Sequence, residues 1–120
     1  MGKFNNQVAA ISGSADGIGK AVANLLALEG AILALFDINQ QLLYKTVEEF
    51  LDKGFKAIGF KTDIADENSV EQAFDQPIKF FGKVDIMVIN LPQTLGFVKF
   101  ISIISIYNCY LICIKVCRIR

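Results

Sequence analysis

Three glycines close together near the start of the chain have the spacing of a phosphate-binding turn. Gly13, Gly17 and Gly19 follow an apolar run at residues 8–12 and precede a helical pattern of apolar residues. Glycine lets the backbone turn tightly and approach an anion closely, and the helix that follows offers unpaired N–H groups and the positive end of its dipole. The pattern G-x-x-x-G-x-G is not the G-x-G-x-x-G dinucleotide pattern. By themselves, the glycines predict either an anion-binding loop or a flexible turn.

A carboxylate stands at the end of the second apolar run. Residues 31–36 are continuously apolar, which is typical of a parallel strand covered on both faces, and Asp37 follows them. An acidic residue about 20 positions beyond such glycines accepts hydrogen bonds from an adenosine ribose and repels a 2′-phosphate. The neighbouring loop positions are all non-basic, namely Ser14, Ala15, Asp16 and Ile38. We therefore predict NAD rather than NADP, with a turn or helix-capping role for Asp37 as the alternative.

The glycine spacing, with Ser12 in front of it, resembles the T-G-x-x-x-G-x-G cofactor loop of the short-chain dehydrogenase/reductase family. Serine replaces the usual threonine, and the resemblance continues to about residue 90. It implies that the first loop surrounds a pyrophosphate, that Asp63 and Ile64 contact the adenine, and that Asn90 contacts the cofactor on the inner ribose side. A polar strand end is the alternative at residues 63 and 90. The predicted cofactor-binding set is Gly13, Ser14, Asp16, Gly17, Ile18, Gly19, Asp37, Asp63, Ile64 and Asn90.

The elements that must position these residues alternate between strand and helix. Apolar patterns predict strands at residues 7–12, 31–36, 56–62 and 84–90, and helices at 17–28, 40–53 and from about 66 to 81. Such alternation predicts an α/β fold, a Rossmann-like doubly wound parallel sheet of order 3-2-1-4, truncated after the fourth strand. Asn39 is the expected cap of the second helix. Pro77 predicts a kink or an early end of the third helix near Gln76.

The catalytic part of the resemblance is missing from these 120 residues. The family uses a Tyr-x-x-x-Lys pair and a Ser after the fourth strand, and the phenol exchanges a proton with the substrate oxygen. Here Tyr107 and Tyr110 are followed four positions later by Leu111 and Ile114. The segment at 84–90 is also an imperfect match, because Ile89 replaces the first Asn of D-I-L-V-N-N-A-G and Leu-Pro follows instead of Ala-Gly. No catalytic residue is assigned, and enzymatic activity is left open.

Composition changes near residue 91. All twelve acidic residues precede it, and four basic residues with no acidic one follow it. We therefore divide the chain into a cofactor-binding half at 1–93 and an apolar, basic tail at 94–120. Our hypothesis for the origin of the tail is a frameshift or alternative splicing. The run at 100–114 is shorter than the ~20 residues of a spanning helix. Two other roles are open to this run, namely contact with a membrane surface and packing against the edge of the fourth strand. We favour packing against the strand.

Cysteine and histidine usage excludes several kinds of site. The chain has no histidine, so Ser-His-Asp and Cys-His catalysis and histidine-bound metal are excluded within it. Cys109, Cys113 and Cys117 recur every four residues without a zinc-type pattern, and we interpret them as apolar fillers. No cysteine occurs in residues 1–90, which favours a reduced, cytoplasmic setting.

Two functions follow from these observations. The first is an NAD-dependent oxidoreductase of the short-chain type that acts on an alcohol/ketone pair, represented here by its cofactor-binding half. The second is a nucleotide-binding or interaction remnant without turnover. We expect NAD(H) as the partner, an alcohol or ketone only if a catalytic half is supplied, and no nucleic acid. Membrane contact is a minor alternative for the tail, and self-association is left open.

Overall fold

A computed structural model describes residues 2–15, 17–62, 67–91 and 110–115 of the chain. These residues form a parallel sheet with helices in the connections between the first four strands. The elements, in chain order, are β1 (Val8–Ser12), α1 (Gly17–Leu28), β2 (Ile32–Asp37), α2 (Gln40–Asp52), β3 (Ala57–Lys61), α3 (Glu67–Phe81), β4 (Ile86–Leu91) and β5 (Tyr110–Lys115).

The sheet has the order β3-β2-β1-β4-β5, and every neighbouring pair is parallel. The predicted order of the first four strands is therefore confirmed. The sheet continues beyond the fourth strand, where we expected it to end, because the tail supplies β5 along the edge of β4. The register runs from Ile86 beside Tyr110 to Leu91 beside Lys115. This pairing confirms the packing interpretation of the tail, and its physical basis is that apolar and β-branched residues suit a strand.

Side chains that alternate along the strands build the core. Ile11 of β1 and Leu33 and Leu35 of β2 pack in one cluster with Leu43 and Phe50 of α2. The intervening residues of both strands are also buried, as the unbroken apolar run at 31–36 predicted. Helix α3 contacts β1 and follows β3, and right-handed crossovers place it opposite α1 and α2. The fold is the doubly wound, Rossmann-like α/β sheet that the alternation of elements predicted.

The predicted cap of α2 is confirmed, and α3 covers its predicted range without the early end that Pro77 suggested. The Asn39 side chain accepts a hydrogen bond from the Leu42 N–H at 3.1 Å, as a helix cap does. Helix α3 continues through Pro77 to Phe81 instead of ending near Gln76. Its hydrogen bonding resumes beyond the proline, since the Gly82 N–H donates to the Ile78 carbonyl at 2.8 Å. Pro77 itself is buried, and burial of its ring offsets the hydrogen bond that proline cannot donate.

Candidate nucleotide-binding site

The glycine loop lies at the carboxyl end of β1 and leads directly into α1. Gly13 and Gly17 have φ angles of 60° and 61°, a backbone conformation that other residues adopt only with strain. The chain therefore reverses sharply between the end of the strand and the first turn of the helix. Ile18 lies in that first turn and is half exposed. Because strand and helix meet here, the loop has the strand–turn–helix arrangement that the spacing predicted.

Gly19 allows α1 to pack directly on the loop. A Cβ atom at this position would lie 2.2 Å from the Gly13 carbonyl oxygen, a distance that no side chain tolerates. The close approach brings the first turn of α1 over the loop, where the N–H groups of Gly17, Ile18 and Gly19 have no acceptor within the helix. These donors and the positive end of the helix dipole favour an anion at this place.

The loop is attached to the end of β2 by hydrogen bonds. The backbone N–H of Ser14 and its Oγ donate to the Phe36 carbonyl oxygen at 3.2 Å and 3.4 Å. From α2, the Thr46 Oγ1 donates to the Ala15 carbonyl oxygen at 2.8 Å. Ser14 and Thr46 are both buried. The described contacts of Ser14 therefore hold the loop in place, and its predicted contact with a cofactor stays a prediction.

Asp37 lies against the glycine loop. Its Oδ2 accepts a hydrogen bond from the Ala15 N–H at 3.0 Å, and its Oδ1 accepts one from the Asn39 N–H, also at 3.0 Å. The second contact is the turn-forming role that we gave as the alternative. The first joins the carboxylate to the loop. An ionised carboxylate has about four acceptor positions. After both contacts it therefore keeps acceptor capacity for two further donors, such as ribose hydroxyl groups.

The remaining predicted residues are placed only in part. Asp16, Asp63 and Ile64 lie outside the described residues. Asn90 lies near the carboxyl end of β4, in register with Ile114 of β5. Because all the strands are parallel, the glycine loop, Asp37 and the end of β4 share one edge of the sheet. This is the edge where open α/β sheets bind ligands.

Two residues of this edge were not found from the sequence. Thr46 holds the loop from 31 positions away, and Lys61 of β3 lies in register with Asp37. Neither belongs to a local pattern that spacing could detect. Lys20, by contrast, is close to the loop in sequence but forms an ion pair with Glu49 of α2 at 2.7 Å. The hydrogen bond and the charge of Lys20 lower the pKa of the Glu49 carboxyl.

The described residues offer neither a metal site nor a membrane span. No group of three or more potential metal ligands occurs among them. Within the same part of the chain, no helix is both long and apolar enough to cross a bilayer.

Comparison with known proteins assigns the chain to a family. The family model described as short chain dehydrogenase matches residues 7–102. A diacetyl reductase of Staphylococcus epidermidis is 40% identical over 85 residues, which are 71% of this chain and 33% of the relative. A cyclohexanol dehydrogenase of Acinetobacter is 36% identical over 88 residues, 73% of this chain and 35% of the relative.

Solved structures share the fold. A short chain dehydrogenase/reductase from Burkholderia phymatum in complex with NAD has a TM-score of 0.71 and 33% identity, covering 76% of this chain and 32% of that one. A hydroxysteroid dehydrogenase from Escherichia coli has a TM-score of 0.70 and 31% identity, covering 81% and 42%. The matched part of the chain thus spans 32% to 42% of the length of these proteins. The matched residues include the glycine loop and Asp37, and the chain belongs to the short chain dehydrogenase family.

Proposed function

We propose that the chain binds NAD(H) at the carboxyl edge of its sheet and does not catalyse turnover with these 120 residues alone. The observation that carries the proposal is the 3.0 Å hydrogen bond between the Ala15 N–H and the Asp37 carboxylate. It joins a loop suited to a pyrophosphate and an acceptor suited to a ribose into one unit. A dinucleotide with an adenosine ribose beside its pyrophosphate fits this arrangement.

The described residues fit two parts of such a ligand separately, the charged pyrophosphate and the neutral adenosine ribose. The first turn of α1 supplies N–H donors and a positive dipole end for the pyrophosphate, and Gly19 keeps the approach open. Asp37 supplies acceptor capacity for the ribose hydroxyl groups at the end of β2. By the family resemblance, Asp63 and Ile64 contact the adenine and Asn90 the inner ribose side.

The charge of Asp37 supports NAD in preference to NADP. In the proposed arrangement the Asp37 carboxylate faces the 2′ substituent of the adenosine ribose, and a phosphate there would meet a like charge. The solved Burkholderia phymatum relative was obtained in complex with NAD. We therefore propose NAD(H) as the cofactor of this chain.

Turnover requires residues that this sequence does not contain. A nicotinamide cofactor supplies the hydride exchanged between an alcohol and a ketone. A proton must also reach or leave the substrate oxygen, and the Tyr-x-x-x-Lys pair that the family uses for it does not occur here. We therefore propose cofactor binding without turnover unless a catalytic half is supplied. The lack of cysteine in residues 1–90 supports a cytoplasmic setting for this function.

Replacement of Asp37 by Ala tests the assignment of the ribose contact. We expect the affinity for NADH to fall about 10- to 100-fold, because hydrogen bonds to a charged group contribute about 1.5–3 kcal/mol. The affinity for NADPH should be unchanged or higher, because the repelling charge is gone. Titration calorimetry with each dinucleotide measures both values, and thermal unfolding confirms that the variant is folded.

Asp52→Ala is the matched control. Asp52 is an exposed aspartate at the last residue of α2, at the opposite end of the helix from Asp37. The Asp52→Ala substitution should leave the affinities for NADH and NADPH unchanged. An unaltered ratio of NADH to NADPH affinity in Asp37→Ala would contradict the ribose contact. Oxidation of NADH by the wild-type chain with a panel of small ketones would contradict the absence of turnover.

A further inference from the structure

A lysine lies beside Asp37 at the end of the neighbouring strand. In the parallel register of β2 and β3, Asp37 is paired with Lys61, the last residue of β3. The Thr62 N–H donates to the Asp37 carbonyl oxygen at 2.9 Å and holds the two strand ends together at this position. Adjacent strands lie about 4.8 Å apart. The backbone thus places a cationic residue next to the carboxylate.

Alternation along the strands puts both residues on the side of the sheet that α2 covers. Leu35, two residues before Asp37, packs in the cluster with α2. Gly59, two residues before Lys61, is so close to α2 that a Cβ atom there would lie 3.0 Å from the Val47 Cγ2. Because side chains two positions apart in a strand share a face, Asp37 and Lys61 share this one.

The Asp37 carboxylate already occupies a place built for an anion. Two backbone N–H groups, those of Ala15 and Asn39, donate to it. Helix α2 begins just beyond, at Gln40, so the positive end of its dipole is directed towards the same place. Lys61, in register with Asp37, adds a cationic residue at the same strand end, with its ammonium group beyond ion-pair distance of the Asp37 carboxylate. These donors and charges suit a phosphate group as well as a carboxylate.

Lys61 is also available for a ligand. Its side chain is exposed, and within the described part of the chain no carboxylate lies within ion-pair distance of its ammonium group. Lys20, which lies in the first helix, is instead held by Glu49. Of these two lysines, only Lys61 keeps its charge available at the adenosine end of the site.

We propose that Lys61 is a second determinant of cofactor specificity, one that offsets the repulsion between Asp37 and an adenosine 2′-phosphate. This inference rests on the proposed NAD(H) site and refines it. NADP(H) is weakened by Asp37 but not excluded, because Lys61 attracts the phosphate that Asp37 repels. If Asp37 is removed, the backbone donors and Lys61 remain, and the preference for the dinucleotide inverts.

Single and double substitutions separate the two charges. In Lys61→Met we expect NADPH to bind about three- to fivefold more weakly, the upper end of the effect of one exposed charge contact, with NADH changed less than about twofold. Asp37→Ser should bind NADPH more tightly than NADH, and Asp37→Ser/Lys61→Met should lose that inversion. The double variant Asp37→Ser/Lys61→Arg should again bind NADPH more tightly than NADH. Adenosine 2′,5′-bisphosphate and AMP, measured by calorimetry, report the same differences without a nicotinamide ring.

Lys53→Met is the matched control. Lys53 is exposed and caps α2 at its far end, over the ring of Phe50, and its loss should leave both affinities unchanged. Added salt should change the affinities for NADPH and NADH to a similar extent in the wild type, where the two charges offset each other, and should favour NADPH relative to NADH in Lys61→Met, where only the repulsion from Asp37 is left to screen.

The outcomes distinguish this inference from the function on which it rests. If the wild type binds NADH in an Asp37-dependent manner and Lys61→Met leaves the NADPH to NADH ratio within twofold of the wild type, the role of Lys61 is wrong and the NAD(H) site stands. If the folded wild type binds neither dinucleotide, both fail.

Discussion

The two sides of β1 differ in what they require of the sequence. On the β2 side, the glycine loop is held by the backbone carbonyl of Phe36 and by the side chains of Asp37 and Thr46, and the two side-chain contacts depend on particular residue types. On the β4 side, a segment with no acidic residue and no match to the family motif still forms β5 and pairs with β4 over six residues. Strand pairing thus requires only apolar, β-prone residues, whereas the ligand site requires specific glycines and a carboxylate.

The largest effect should come from Gly19→Ala, which acts on the side of β1 that depends on residue type. The new Cβ would meet the Gly13 carbonyl oxygen, so the helix and the loop must separate. We expect NADH binding to fall below detection and the free energy of unfolding to drop by about 1–3 kcal/mol, as in other overpacked sites. Calorimetry with NADH and denaturant unfolding measure the two effects.

Gly54→Ala is the control for Gly19→Ala. Gly54 has a φ angle of 86° with no atom near its missing Cβ, and it follows α2 at the far end of that helix. The strain should cost about 1–2 kcal/mol while NADH binding persists. Loss of NADH binding in both variants would mean that stability, and not the shape of the loop, decides binding.

A smaller effect is expected from breaking the pairing of β5. Two adjacent prolines, Ile112→Pro and Cys113→Pro, remove two N–H groups, one of which is directed towards β4 in an extended strand. We expect a loss of about 1–3 kcal/mol in unfolding free energy. Hydrogen exchange of the β4 amides should accelerate while that of Leu33–Phe36 in β2 is unchanged.

The control for the prolines is the pair Ile112→Val and Cys113→Val, which keeps both N–H groups and should exchange like the wild type. NADH binding at the glycine loop should persist in both double variants. Unchanged exchange in β4 after the proline substitutions would contradict the pairing of β5, and the difference between the two sides of β1 would disappear with it.

The smallest effect concerns the ion pair that joins α1 to α2. The pKa of Glu49 is lowered, chiefly by its hydrogen bond to Lys20, so the charged carboxylate is favoured in the folded state. Its contribution to stability is therefore present above the pKa of an unfolded glutamate and is lost as the pH falls through the lowered value. Glu49→Gln should be slightly less stable than the wild type at about pH 7, and this difference should shrink as the pH is lowered towards about 3.

The exposed neighbour Glu48 is the control for Glu49, and Glu48→Gln should show no such pH dependence. Urea unfolding at both pH values measures the differences. A Glu49→Gln deficit that persists at the lower pH would show that packing, and not the ion pair, connects the helices.

The local sequence pattern was sufficient to predict most of the helices and strands but not the effect of a proline within a helix. The apolar runs predicted β1 to β4 because buried parallel strands need continuous apolar residues, and Asn39 predicted the start of α2 because its side chain replaces a missing hydrogen-bond partner. The early end of α3 near Gln76, one of the two effects predicted from Pro77, is wrong, while the end at Phe81 agrees with the predicted range. The local cost of proline was known from the sequence, while the burial that offsets it depends on what packs against the helix.

The sequence by itself determined the order of strands and helices, the glycine loop and the carboxylate that ends the second strand, because each depends on neighbours within a few residues. Only the tertiary structure decided that Thr46 holds Ala15, in which register β5 pairs with β4 and that Lys61 lies beside Asp37. These contacts join residues that are far apart in the chain, and they are set by strand register and helix packing, which depend on the whole sheet.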